Sequence, residues 1–226
     1  MAFSLDRVVP WGRSLAEYRR MFALTKKQFR MRILGCADGP ASFNAEATAL
    51  GANVVSVDPI YALSQSEIRH RIQVTYPELM EQTRQNYSEF VWSEISSVEE
   101  LGRLRMESMT RFLDDYDAGR KCGRYLLAEL PTLPFADQAF ELALCSHFLF
   151  LYSSQFSLKF HMDSIVELCR VASEVRIFPL FEFGSVASRH VTPITDGLRC
   201  LGHSVTIETV NYQFQRGANQ MMRIAR

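Results

Sequence analysis

A glycine-containing bend followed by an acidic residue is the part of this sequence best suited to binding a ligand. The bend is Gly35-Cys36-Ala37-Asp38-Gly39, and its small residues let main chain pass close to a bound molecule. Asp58, with Pro59 after it, follows about 20 residues later, at the spacing where a carboxylate accepts hydrogen bonds from both hydroxyls of a ribose. The pattern predicts a site for a nucleoside-bearing cofactor.

Two common nucleotide motifs do not match the bend. The dinucleotide fingerprint would place its third glycine at position 40, where this chain has Pro40. A phosphate-binding P-loop would need Gly-Lys-Ser or Gly-Lys-Thr after the turn, and that triplet is missing. Both observations disfavour NAD and nucleoside triphosphates as the ligand.

Strand and helix patterns alternate around the bend. Ile33 and Leu34 read as a short buried strand, residues 42–50 as a helix ended by Gly51, and residues 54–57 as the next strand. Parallel strands need a covering helix between them, so this is a βαβ unit whose crossover brings the bend beside the end of the second strand.

The alternation continues to the end of the chain. We expect an α/β fold with a doubly wound, mostly parallel seven-stranded sheet, a C-terminal antiparallel hairpin and a helical insertion after the second strand. The expected boundaries are an N-terminal helical leader over 1–31, a domain over 32–226 and an insertion over about 62–122. Further strands are predicted at 125–128, 140–145, 175–178, 205–210 and 221–225, and helices at 156–171 and 188–201.

The insertion carries two helix-start signals, Ser64 with Glu67 and Ser97 with Glu100. Its functional interpretation is a lid over the substrate pocket, and the alternative is added scaffold or the surface of a possible homodimer. The leader has the same signal at Ser14 and is locally basic, which fits either a solvated helix face or an anionic substrate.

The composition is that of an ordinary soluble globular protein. Of 226 residues, 47% are hydrophobic and 22% charged, and the formal net charge is zero, so nothing draws in nucleic acid or an anionic membrane. The five cysteines are scattered without a C-x-x-C pair, which predicts no metal centre and reduced thiols in a cytoplasmic protein. Neither a signal peptide nor a membrane span is expected.

Two motifs together resemble those of class I S-adenosylmethionine-dependent methyltransferases. The bend is similar to the L-G-C-G-D-G form of the family's first motif. Residues 133–143, LPFADQAFELA, are similar to the L-P-F-x-D-x-x-F-D segment that leads into the family's fourth strand, and this is the more specific match. The order of the motifs along the chain fits the family over about residues 32–226.

The resemblance implies S-adenosylmethionine as cofactor and assigns roles to individual residues. Gly35, Ala37 and Gly39 would line its methionine part, Asp58 would hold the ribose, and Glu129 with Leu130 would lie near the adenine. Cys145, Ser146 and His147, at the end of the fourth strand, would face the methionine and the transferred methyl group. One position departs from the family: an acidic residue commonly stands where this chain has Ile33, so Asp38 or a leader residue would have to compensate.

Methyl transfer is a single displacement in which the protein aligns the reactants and can supply a base. His147 and Tyr152 are the candidate catalytic bases for a small-molecule or peptide-like acceptor, although a lone histidine in an apolar stretch is more often a hydrogen-bonded core residue. The alternative function is a catalytically silent cofactor-binding or protein-interaction module on the same fold.

Overall fold

A seven-stranded sheet forms the centre of the chain, which the computed structural model describes over residues 9–225. The strand order is β3-β2-β1-β4-β5-β9-β8; β1 to β5 pair in parallel, and β9 pairs antiparallel with β5 and β8. The predicted doubly wound fold with its C-terminal antiparallel hairpin is therefore confirmed. The sheet strands are β1 (Arg32–Cys36), β2 (Asn53–Val57), β3 (Tyr125–Leu126), β4 (Phe140–Ser146), β5 (Ala172–Phe178), β8 (Ser204–Thr209) and β9 (Gln220–Ala225).

Six α-helices accompany the strands within residues 9–225, and each face of the sheet carries its own apolar core. The helices are α1 (Leu15–Met21), α2 (Phe43–Ala49), α3 (Gln65–Gln85), α4 (Val98–Lys121), α5 (Leu158–Val171) and α6 (Val191–Cys200). Alternate residues of β1 point to opposite faces: Ile33 packs with α1 and α2, whereas Leu34 packs with α5 and α6. This alternation is why a strand of five residues can be covered on both sides.

The helical insertion after β2 is confirmed as α3 and α4, and its predicted start signals act as caps. Ser64 begins α3 with a complete capping box, as Ser14 does for α1. Ser97 caps α4 by accepting the N–H of Glu100, but the Glu100 carboxylate accepts the N–H of Ser96 instead of that of Ser97. The second predicted box is therefore only half formed.

Two short features differ from the sequence-based expectation. The third strand ends at Leu126, earlier than predicted, because the chain then turns into an isolated bridge between Glu129 and Thr132. A small hairpin of β6 (Phe181–Glu182) and β7 (Val186–Ala187) was not predicted, since two-residue strands show no periodicity. No helix within residues 9–225 is long and apolar enough to cross a bilayer.

The strand order reverses at β1, which lies between β2 and β4. In register, Cys36 at the end of β1 pairs with Val57 of β2 on one side and with Cys145 of β4 on the other. The connections that leave β1 and β4 run to opposite faces, so a crevice opens beyond their carboxyl ends.

Candidate cofactor and acceptor site

A cavity of about 570 Å³ lies beyond the carboxyl ends of the central strands. That size is within the ordinary range for sites that hold small molecules. Most of the predicted site residues line it: Cys36, Ala37, Asp38, Gly39, Asp58, Pro59, Glu129, Leu130, Ser146, His147 and Tyr152. Gly35 and Cys145 are not among its lining residues, and the structure places them beneath the site.

The bend after β1 is held by hydrogen bonds to the next strand. Ala37 and Gly39 both have left-handed backbone, with φ of 57° and 52°. The N–H of Ala37 donates to the carbonyl of Val57 at 2.9 Å, and the N–H of Gly39 donates to the Asp58 carboxylate at 2.8 Å. These two amides therefore fix the bend against β2 and are not free to bind phosphate.

Asp58 is the carboxylate that the bend positions. One of its oxygens accepts the N–H of Gly39, and the other accepts the N–H of Ile60 at 2.8 Å, which caps the short turn Pro59–Ala62. Burial raises the pKa of Asp58 to about 6 against the opposing effect of these two hydrogen bonds. Asp58 is only partly buried and lines the cavity, so each oxygen retains acceptor capacity for a ribose hydroxyl.

Gly35 makes room for a second carboxylate below the bend. A Cβ at Gly35 would stand 1.8 Å from an oxygen of Asp38. That carboxylate accepts the hydroxyl hydrogens of Tyr18 at 2.7 Å and Ser56 at 2.6 Å, and burial raises the pKa of Asp38 to about 6. Ile33 and Gly35 are alternate residues of β1 and point to the same face of the sheet, so Asp38 lies on the face where the family's acidic residue would stand. Asp38 was one of the two candidates, with a leader residue, that we expected to replace that acidic residue.

The turn after β4 presents a neutral imidazole. The backbone of His147 is left-handed, with a φ of 51°, and its amide N–H donates to the carbonyl of Phe178 at 2.6 Å. In the side chain, the ring atom Nδ1 lies 2.9 Å from the hydroxyl of Ser146. Burial, with the nearby charges of Arg13 and Arg105, lowers the pKa of His147 well below its ordinary value. The imidazole is therefore uncharged at neutral pH, and the same lowered pKa makes it a weak base.

The other two polar side chains of this region keep their protons. Burial raises the pKa of Tyr152 to about 12 and that of Cys145 to about 12. Cys145 is fully buried in the core. Of the two residues predicted as bases, His147 is unprotonated at neutral pH, and Tyr152 is a hydrogen-bond donor.

Some of the lining residues that were not predicted come from the two ends of the chain. The leader contributes Trp11, Arg13 and Tyr18, and the segment before β9 contributes Tyr212 and Phe214. The ring of Tyr18 stacks on Phe43 of α2 at 4.2 Å between centroids, which fixes α1 against the bend. Only the basic character of the leader hinted at a ligand-binding role.

The L-P-F segment supports the site from outside it. Arg170 of α5 donates to the Asp137 carboxylate and to the carbonyl of Phe135, both at 2.8 Å, and Glu167 accepts the N–H of Leu133 at 2.7 Å. None of these five residues lines the cavity. The most specific motif of the sequence therefore anchors the connection between β3 and β4 to α5.

The arrangement fits an adenosine that carries no phosphate. The N-terminus of α2 is covered by the insertion, because the N–H of Ser42 donates to the hydroxyl of Ser108 on α4 at 3.3 Å. Space is open in front of Gly39, where an added Cβ would meet only an oxygen of Asp58 at 3.9 Å. A ribose can approach the carboxylate there, whereas a pyrophosphate would find the nearby amides occupied. No cluster of three His, Cys, Asp or Glu side chains within residues 9–225 could hold a metal ion.

Among curated proteins, the uncharacterized protein MJ0045 of Methanocaldococcus jannaschii is similar over almost its whole length. The two sequences are 32% identical over 224 residues, which covers 99% of this chain and 98% of that protein. No family model matches the chain.

Solved structures are similar to this chain at low sequence identity. The PH0226 protein of Pyrococcus horikoshii is 13% identical with a TM-score of 0.46, covering 87% of this chain and 82% of that one. Magnesium protoporphyrin IX methyltransferase of Synechocystis with bound SAM is 11% identical with a TM-score of 0.45, covering 87% and 70%. A putative S-adenosyl-L-methionine-dependent methyltransferase of Methanococcus maripaludis is 11% identical with a TM-score of 0.45, covering 94% and 83%.

Proposed function

This chain belongs to the same family as the uncharacterized protein MJ0045, and we propose that it acts as an S-adenosylmethionine-dependent methyltransferase. The observation that carries the proposal is the position of Asp58. Its carboxylate is anchored to the bend through Gly39, remains partly exposed, and lines a cavity large enough for a small-molecule ligand. A carboxylate in this position can accept hydrogen bonds from the hydroxyls of an adenosine ribose.

The lining residues offer contacts for each part of the cofactor. Asp58 would accept the ribose hydroxyls, and Glu129 with Leu130 would border the adenine. Ala37 and Gly39 would lie along the methionine portion next to the ribose, with Ser146 near the transferred group.

Bound S-adenosylmethionine would supply a methyl group activated on a sulfonium sulfur. The protein would align the acceptor with that group and exclude water. His147 would take the acceptor's proton, because its imidazole is neutral and lies after β4 at the cavity wall. Tyr152 would orient the acceptor as a hydrogen-bond donor.

Helices of the insertion line part of the cavity. Arg71, Leu79 and Thr83 of α3 and Leu101 of α4 line it. We propose that these helices form the lid, and that the acceptor is a small or peptide-like molecule rather than nucleic acid, in line with the zero net charge. All five cysteines are free, which supports a reducing, cytoplasmic location.

Calorimetry with S-adenosylhomocysteine tests the proposal without knowledge of the acceptor. We expect micromolar binding to the wild-type protein and a loss of at least tenfold in affinity for Asp58→Ala. The control is Asp196→Ala, an exposed carboxylate on α6, which should bind as the wild type does. If the folded wild-type protein does not bind S-adenosylhomocysteine, the methyltransferase assignment is wrong.

A catalytically silent module is the second candidate, and the burial of Ile33 in the core is the observation that favours it. No acidic side chain is present at that position to contact the amino group of the cofactor. Retention of S-adenosylhomocysteine binding together with failure to transfer methyl to any acceptor from a broad small-molecule panel would favour this function over catalysis.

A further inference from the structure

Positive charge exceeds negative charge in a buried cluster behind the cavity. Arg105 of α4 has 1% of its side chain exposed and donates to the Glu17 carboxylate at 2.7 Å. Tyr212 donates its hydroxyl hydrogen to the other oxygen of Glu17 at 2.9 Å. Arg13 lies in the same cluster, so two guanidinium groups share one carboxylate.

Arg13 has no carboxylate of its own among residues 9–225. Its Nη1 donates to the carbonyl of Trp11 at 3.0 Å, its Nε is buried without a hydrogen-bond partner there, and Nη2 makes no hydrogen bond to this part of the chain. The nearest carboxylate, Glu17, is occupied by Arg105 and Tyr212. A partly buried and unpaired guanidinium is unfavourable unless an anion joins it.

The guanidinium lines the cavity together with His147 and Tyr152. The charge of Arg13 lowers the pKa of His147, next after burial, and also acts on Tyr152. The pKa values of Asp38 and Asp58 are shifted instead by burial, by their hydrogen bonds and by neighbouring carboxylates. The charge of Arg13 acts likewise on Tyr18, whose hydroxyl donates to Asp38, so it reaches both the bend after β1 and the turn after β4.

The wall beside this cation is aromatic. Phe148 and Phe156 are in edge contact at 5.3 Å between ring centroids, and Phe156 stacks on Phe160 at 4.5 Å. Tyr152 meets Phe183 edge-on at 5.1 Å. Flat apolar surface next to a cation suits a ligand with a planar or apolar body and an anionic group at one end.

From these observations we propose that Arg13 binds a carboxylate of the methyl acceptor, so that the acceptor is an aromatic or similarly apolar carboxylic acid. The carboxylate accepts hydrogen bonds from the guanidinium, the body packs on the phenylalanine wall, and the group to be methylated points towards His147. This inference rests on the proposed function, since it names the class of substrate for the same site.

Benzoate is the probe, and benzamide is its neutral match. We expect benzoate to bind the wild-type protein, with and without saturating S-adenosylhomocysteine, more tightly than benzamide does, as followed by ligand-observed NMR titration. Arg13→Gln should weaken benzoate binding at least tenfold, and Arg13→Lys should retain part of it because the charge is kept. Arg30→Gln, which removes an exposed arginine from the same leader, is the control and should bind benzoate as the wild type does.

The outcomes separate this inference from the proposed function. Equal binding of benzoate and benzamide, or benzoate binding that Arg13→Gln leaves unchanged, overturns the acceptor assignment while S-adenosylhomocysteine still binds. A loss of S-adenosylhomocysteine affinity in Arg13→Gln without loss of methylthioadenosine affinity would show that Arg13 holds the cofactor's carboxylate and would also overturn it. Failure of the wild type to bind S-adenosylhomocysteine refutes the cofactor proposal, and the titrations without it still test the anion site.

Discussion

The amide of Gly39 donates its hydrogen to the carboxylate of Asp58 at 2.8 Å, which ties the bend after β1 directly to the tip of β2. The two elements that a nucleoside ligand would contact are therefore bonded to each other before any ligand arrives. Because this bond and the one from Ile60 hold the carboxylate, its orientation does not have to be fixed by binding.

Gly39→Ala should abolish the binding of S-adenosylhomocysteine while the protein remains folded. An added Cβ would meet only Asp58 at 3.9 Å, so nothing clashes within the chain. The methyl group would instead occupy the open space in front of Gly39, through which the ribose would approach Asp58. The left-handed backbone, with φ of 52°, costs about 1 kcal/mol of stability for alanine. Calorimetry and urea denaturation measure the two effects separately.

Gly51→Ala is the matched control for this variant. Gly51 also has left-handed backbone, with φ of 84°, and open space around it, but it ends α2 away from the cavity. It should lose similar stability and bind S-adenosylhomocysteine normally. Equal binding by the two alanine variants would show that Gly39 does not border the ligand.

Gly35→Ala should destabilise the protein through Asp38 rather than by obstructing a ligand. The new Cβ would overlap the Asp38 carboxylate and displace it from the hydroxyls of Tyr18 and Ser56. We expect a loss of about 2 kcal/mol in the free energy of unfolding. In an Asp38→Ala background the same substitution should cost at least about 1 kcal/mol less, and additive losses in this double-mutant cycle would contradict the contact.

The affinity for S-adenosylhomocysteine should fall about tenfold between pH 7 and pH 5. Burial raises the pKa of Asp58 to about 6, so the carboxylate becomes protonated across this interval and one oxygen ceases to be a free acceptor. Calorimetry at several pH values gives the profile. Asp58→Asn, which cannot titrate, should bind S-adenosylhomocysteine weakly and with little pH dependence. If the affinity of this variant falls with pH in parallel with that of the wild type, the pH dependence belongs to a group other than Asp58.

Asp38→Asn should become more stable relative to the wild type as the pH rises from 4 to 7. Burial raises the pKa of Asp38 to about 6, above its value of about 3.9 in an unfolded chain. The folded wild type therefore binds more protons than the unfolded chain in this interval and loses up to about 3 kcal/mol of stability as the pH rises. Urea denaturation at both pH values checks the difference, and stability curves that stay parallel would contradict it.

Glu17→Gln should be strongly destabilising because it leaves two guanidinium groups without a carboxylate. Burial would raise the pKa of Glu17, but the charge and hydrogen bond of Arg105 outweigh it and lower the pKa to about 2. We expect a loss of about 3 to 5 kcal/mol at pH 7. Glu107→Gln, which breaks exposed pairs on α4, should cost no more than about 1 kcal/mol, and equal losses in urea denaturation would refute the special role of the buried pair.

Local patterns were enough to predict the sheet, the bend and the approximate place of Asp58. Strand alternation, capping residues such as Ser14 and Ser64, and the turn at Gly51 act over a few residues, so the sequence displays them directly. The C-terminal hairpin was likewise predictable, because β8 and β9 are separated only by a turn-like segment.

Only the tertiary structure decided which side chains line the cavity and whether each titratable group among them is charged at neutral pH. Arg13, Tyr18 and Tyr212 reach one site from opposite ends of the chain, and no local spacing encodes a contact such as that between Tyr212 and Glu17. Gly35 and Cys145 were predicted to contact the cofactor, yet neither lines the cavity: Gly35 makes room for Asp38, and Cys145 lies in the core. Charge pairing and burial depend on packing between distant elements, and they determine the pKa of each group as well as the excess positive charge at Arg13.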